Sequence, residues 1–234
     1  MLGPERLSPI LVVAPHADDE VLGAGGAIAR ALGAGASVHV IFMAVGALKH
    51  WGLPEAPTLS ERLAETEAVA KRLGFTYELF AEGEEKVERL DTIPQQQLVD
   101  YLEDAYNRVQ PRLLLLPHGE DFDQDHRATH AAACAAARPI PQSLNKFFPP
   151  NVMTYEMPKV WSNPGFRPSF YVDVTATIED KLDALRLYAT QLREPPHLRA
   201  PENVRALAHL RGSEIGVEYA EAFSVHRTVG GSAP

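Results

Sequence analysis

Ile10-Leu11-Val12-Val13-Ala14-Pro15-His16-Ala17-Asp18-Asp19-Glu20 is the stretch that decides the fold. Its first five residues are all apolar, three of them β-branched, which predicts a strand buried on both faces. The next residues are a proline, an imidazole and three carboxylates. A Gly- and Ala-rich helical run to Gly33 follows. A strand that passes through such a turn into a helix is the opening unit of an open α/β sheet. In that architecture ligands bind at the carboxyl ends of the strands.

Working outward, the same alternation recurs. Strands are predicted at Ser37–Met43, Phe75–Phe80 and Leu113–Leu116. Helices are predicted at Leu59–Leu73, Pro94–Val109 and Asp125–Ala137 from apolar residues at helical spacing. Repeated strand–helix units imply a Rossmann-like α/β fold with a mostly parallel sheet and helices on both faces. Right-handed crossovers put the strand carboxyl ends on one edge. A second acidic cluster, Asp121-Phe122-Asp123-Gln124-Asp125-His126-Arg127, follows the strand at 113–116 and therefore faces the first across that edge.

The second half is less regular. Segment 139–150 holds Pro139, Pro141, Pro149 and Pro150 and reads as an irregular connection, where a contact between subunits would sit. Short strands are expected at Val152–Tyr155 and Phe170–Val174. A helix is expected from Thr177 to about Leu192, and another over Glu202–Leu210. The expectation is one domain, with residues 1–138 as α/β core and 139–234 shaping the substrate site.

Composition narrows the function classes. The 234 residues carry a net charge of −9 without a long Lys/Arg run, which argues against nucleic-acid binding. No apolar stretch reaches the roughly 18 residues of a membrane span. The N-terminus lacks a signal-peptide pattern, so a reducing cytoplasm is the expected compartment. The sole cysteine, Cys134, excludes an intrachain disulfide.

His16 and Asp19 are one helical turn apart and can reach one ion. His126 or, four residues on, His130 offers a third ligand from the second helix, and His126 lies nearer the sheet edge. A His-Asp-His set suits Zn²⁺ and leaves a position for water. Asp18, adjacent but pointing elsewhere, is the candidate general base. Acidic residues before helices also serve as N-caps. Asp125 is either such a cap or the group that orients a neighbouring ligand.

Pro15-His16-Ala17-Asp18-Asp19-Glu20, then Gly23-Ala24-Gly25-Gly26, with the later Gln124-Asp125-His126-Arg127, resembles the PIG-L/LmbE-like zinc N-deacetylases. Tyr155-Glu156, Pro196-His197-Leu198-Arg199 and Tyr219-Ala220-Glu221-Ala222-Phe223 resemble its bacterial sugar-deacetylase members. The resemblance implies one Zn²⁺ per chain on His16, Asp19 and His126, with Asp18 as base. It implies hydrolysis of an N-acetyl group on a small amino sugar or sugar conjugate.

One position departs from the pattern. Many members carry a carbonyl-polarising His where this chain has Asp123, and an ionised Asp cannot donate a hydrogen bond. His197 is the expected substitute, with His118 or the metal alone as alternatives. His118, Arg127, Glu156 and Trp51 are candidate substrate contacts. The competing functions are a non-catalytic metal- or sugar-binding module and a nucleotide-binding domain. The glycines follow the acidic turn instead of forming it, which disfavours the latter.

Overall fold

The structure, a computed structural model, describes residues 7–48, 55–83, 87–159 and 165–230. Seven strands form one sheet: β1 (Ile10–His16), β2 (Val38–Ala44), β3 (Thr76–Leu79), β4 (Leu113–Pro117), β5 (Asn151–Tyr155), β6 (Phe170–Asp173) and β7 (Ala220–Arg227). Their order is β3-β2-β1-β4-β5-β7-β6. The first five run parallel, whereas β7 is antiparallel to both β5 and β6.

The apolar run of β1 explains its central place. Val12 and Ala14 pack into a core on one face, and Leu11 and Val13 into a core on the other. Helices α1 (Asp19–Gly33), α2 (Leu59–Leu73), α5 (Ile178–Leu187) and α6 (Pro201–Ser213) contribute to the first core. Helices α3 (Gln95–Val109) and α4 (Gln124–Ala136) contribute to the second. None of the described helices is long and apolar enough to cross a membrane.

Local chemistry sets several boundaries. Thr58 and Glu61 form a reciprocal capping box at the start of α2, and Gly74 ends it in the left-handed region at φ 96°. Gly23 lets α1 lie close to β5: a Cβ there would sit 2.2 Å from a Tyr155 ring carbon. The glycines after the acidic turn thus serve packing of α1. Under the same helix, Lys181 donates to Glu221 at 2.6 Å, and the Glu221 carboxylate accepts from Gly26 N and Ala27 N.

Two features differ from the sequence-based expectation. The strand β7 was not anticipated, because the buried Glu221 interrupts its apolar pattern. Helix α5 stops at Leu187, short of the expected Leu192. Beyond it, Tyr188 is fully buried with its hydroxyl on Glu20, and Thr190 N donates to Glu65. Those tertiary bonds replace the last helical turn.

Candidate metal centre

The site lies where β1, β2, β4 and β5 end. β1 delivers His16 in register with Ala44 of β2, and the loop after β4 delivers residues 118–123 ahead of α4. His16, Asp19 and His126 each offer a ligand atom, and these atoms lie within 4.8 Å of one another. They open onto a cavity of about 230 Å³.

Both imidazoles are oriented by carboxylates on their outward nitrogens. His16 Nε2 is 3.0 Å from Asp125 Oδ2, which leaves Nδ1 toward Asp19 at 3.5 Å. His126 Nδ1 is 3.1 Å from Asp121 Oδ2, which leaves Nε2 toward Asp19 at 3.2 Å. A carboxylate behind each ligating histidine fixes the ring and raises its basicity. Asp125 therefore orients His16, and its second oxygen accepts from Leu90 N at 2.8 Å. The capping role belongs to Asp123, whose side chain accepts from Asp125 N.

The electrostatics fit a cation. Burial disfavours charge on His16, yet Asp125 and Asp19 outweigh it and push the imidazole up to about 10. His126 is likewise raised against its burial by Asp19 and Asp121. Burial alone would raise Asp19, but His126 and His16 hold it well below the usual carboxylate range. The cluster thus calls for positive charge at its centre. A divalent ion meets that demand while displacing the ring protons. The donor set, two nitrogens and a carboxylate oxygen, fits Zn²⁺.

Asp18 stands apart from these three candidate ligands. It occupies the N-cap position of α1 but makes no side-chain capping bond, and only its carbonyl closes the first turn. Its carboxylate is buried, lines the cavity and accepts from Arg199 Nη1 at 3.1 Å. Burial raises its pKa, Arg199 opposes this, and neighbouring Asp19 adds to the rise. A buried carboxylate that faces the cavity and makes no capping bond has the chemistry of a proton acceptor.

The other candidates distribute unevenly. His197 does not line this cavity: its ring Nδ1 accepts from Arg199 N, so it shapes the loop from which Arg199 reaches Asp18. Arg127 also lies outside the lining, because its guanidinium is spent on the carbonyls of Asp121 and Phe122. Glu156 turns away into a bidentate pair with Arg211 at 2.8 and 2.5 Å. His118 packs edge-on against Phe166 and is likewise absent from the lining. Trp51 falls outside the described residues. His130 is occupied one turn deeper, its Nδ1 2.9 Å from Pro117 O. Arg62 and Lys159, which sequence reasoning did not single out, do line the cavity, as does Gln191. Arg62 and Lys159 are distant in sequence from both acidic clusters, and no local pattern marks them.

The family model for PIG-L, GlcNAc-PI de-N-acetylase, matches residues 11–137. The 4-oxalmesaconate hydratase of Pseudomonas putida is 30% identical over 194 residues, 77% of this chain and 73% of the hydratase. Among solved structures, GalB, the 4-carboxy-2-hydroxymuconate hydratase from Pseudomonas putida KT2440, aligns with a TM-score of 0.76 at 26% identity. That alignment covers 96% of this chain and 99% of GalB. The N,N′-diacetylchitobiose deacetylase of Pyrococcus horikoshii gives a TM-score of 0.71 at 22% identity, covering 92% of this chain and 82% of that one, a likeness of fold.

Proposed function

The chain belongs to the PIG-L, GlcNAc-PI de-N-acetylase family, and from that premise we propose that it is a metal-dependent amidohydrolase removing an N-acetyl group from an amino sugar or sugar conjugate. The observation that carries this reading is Asp18: a buried carboxylate released from capping and placed beside three converging ligand atoms. A purely structural metal site has no use for such a group.

In this reading His16, Asp19 and His126 would hold one Zn²⁺, which would supply Lewis acidity to polarise a carbonyl and to make water a better nucleophile at neutral pH. Asp18 takes the proton of the attacking water and returns it to the departing amine nitrogen. Acetate and a free amine result. Asp123 cannot donate to the developing oxyanion, and the basic side chains lining the cavity are Arg62, Lys159 and Arg199. His197 contributes indirectly, through the Arg199 loop.

A second reading is favoured by the hydratase at 30% identity and by those same basic side chains. Here Asp18 activates water for addition to a carbon–carbon double bond of an unsaturated polycarboxylate. Both reactions need a base beside a Lewis acid. They differ in whether a C–N bond breaks.

The deciding experiment gives the zinc-loaded protein a panel of N-acetylated amino sugars and, separately, 4-oxalmesaconate. Acetate release that stops on chelation and returns with zinc supports the amidohydrolase. Metal-dependent loss of the absorbance of the conjugated acid, without acetate release from any sugar, replaces it with the hydratase.

Arg199 gives a pH prediction. Its guanidinium favours the ionised form of Asp18, so replacing it raises the pKa of the base. The base must be ionised to act, and activity is lost as pH falls through its pKa. Arg199→Gln therefore moves the acid limb of the pH–rate profile to higher pH, measurable as log kcat/KM against pH. An acid limb that stays in place separates this limb from Asp18.

A further inference from the structure

The N-termini of three helices can be compared within this molecule. At α2, Thr58 has φ −86° and its side chain caps the helix. At α4, Asp123 has φ −72° and does the same. At α1, Asp18 has φ 129° and makes no side-chain cap. A side-chain cap accompanies the extended backbone of an ordinary N-cap residue. The conformation of Asp18 is one that residues with a Cβ rarely adopt, and it persists only where the surroundings over-determine it.

They do so here. Asp18 N donates to Glu20 Oε2 at 3.1 Å. The other oxygen of Glu20 accepts from the Tyr188 hydroxyl at 2.6 Å. Glu20 and Tyr188 are both fully buried, and neither lines the cavity. One residue earlier, Ala17 O accepts from Arg62 Nη2. Arg62 is itself held by Glu65 and Thr190. The single Ala17–Asp18 peptide group is thus gripped from both sides, its N–H by Glu20 and its C=O by Arg62. Tyr188 and Thr190 both come from the segment where α5 ends early.

We infer that Glu20 and Tyr188 are positioning residues for Asp18, holding its backbone at positive φ so that its carboxylate faces the cavity instead of capping α1. This rests on the reading of Asp18 as the base. The acid that follows the two aspartates in the sequence is, on this account, neither a ligand nor a proton carrier. It is a backbone clamp, and the tyrosine from the second half of the chain locks it.

The test compares Tyr188→Phe, Glu20→Ala and Glu20→Gln with the wild type, all zinc-loaded, by metal analysis, steady-state kinetics and crystallography. A displacement of about 1 Å in a reacting group can cost about 10²-fold, so kcat is expected to fall about 10-fold in Tyr188→Phe and about 10²-fold in Glu20→Ala, with KM and zinc content near wild type. Glu20→Gln restores most of the rate, because its amide oxygen still accepts from Asp18 N. In the crystal structures of the two damaging variants, Asp18 relaxes to negative φ and its carboxylate turns to the first-turn N–H groups. Positive φ retained in both variants overturns the inference, as does a loss of rate wholly accounted for by lost zinc. If the wild type releases no acetate from any substrate, the proposed reaction fails on its own. The conformation of Asp18 in the variants then still decides whether the clamp exists.

Discussion

Asp18→Asn is expected to retain its metal and lose roughly 10²- to 10⁴-fold in kcat, the usual contribution of a general base. The substitution keeps size and shape, so the turn and its backbone bonds to Glu20 and Leu22 remain. Arg199 loses an ion-pair partner but keeps an acceptor in the amide oxygen. The change removes a buried carboxylate whose charged form burial already disfavours, so folding is not expected to suffer. What disappears is the lone pair of an ionised oxygen that can take a proton. Elemental analysis and single-turnover kinetics on the same preparation separate the two effects. A variant that turns over within a few-fold of wild type, with zinc bound, would remove Asp18 from the mechanism and return attention to Asp123, another carboxylate of the cavity lining.

The legible parts of this molecule are those governed by local rules. Helix α2 was readable from apolar residues at helical spacing, and the capping box of Thr58 and Glu61 and the left-handed Gly74 hold its ends at those bounds. The edge on which His16, Asp19 and His126 meet was readable because parallel strands with apolar runs leave little choice of topology. Side-chain destinations were not readable in the same way. Arg127, Glu156 and His197 have the right chemistry near the right motif. Yet each is captured by a partner that only the folded chain supplies: the carbonyls of 121 and 122, Arg211, and the backbone of Arg199. Conversely, Arg62 and Lys159 reach the cavity from α2 and from the segment after β5, where nothing in the pattern marks them. Asp125 illustrates the boundary. Its position allowed a cap or an orienting group, and only the 3.0 Å approach to His16 distinguishes them.

His126→Ala is expected to abolish metal binding and, with it, measurable turnover. His126 is buried, and its two ring nitrogens address Asp19 and Asp121. Without it the ion would keep His16 and Asp19 alone, too few protein ligands for the usual catalytic zinc site. His130 cannot step in, because its Nδ1 faces Pro117 O and its Nε2 lies 3.5 Å from Cys134 Sγ. The comparison that gives the result meaning is Asp121→Asn. That change leaves all three ligands and weakens only the group behind one of them, for which about 10- to 100-fold in metal affinity or activity is expected. Zinc titration followed by thermal denaturation reads both variants, since an ion that binds only the folded state raises Tm with concentration. Wild type should respond, Asp121→Asn should respond at higher zinc, and His126→Ala should not respond at all. A wild-type-like response from His126→Ala would mean that the ion is held elsewhere. The convergence of His16, Asp19 and His126 would then be an ion-paired cluster of imidazolium and carboxylate groups.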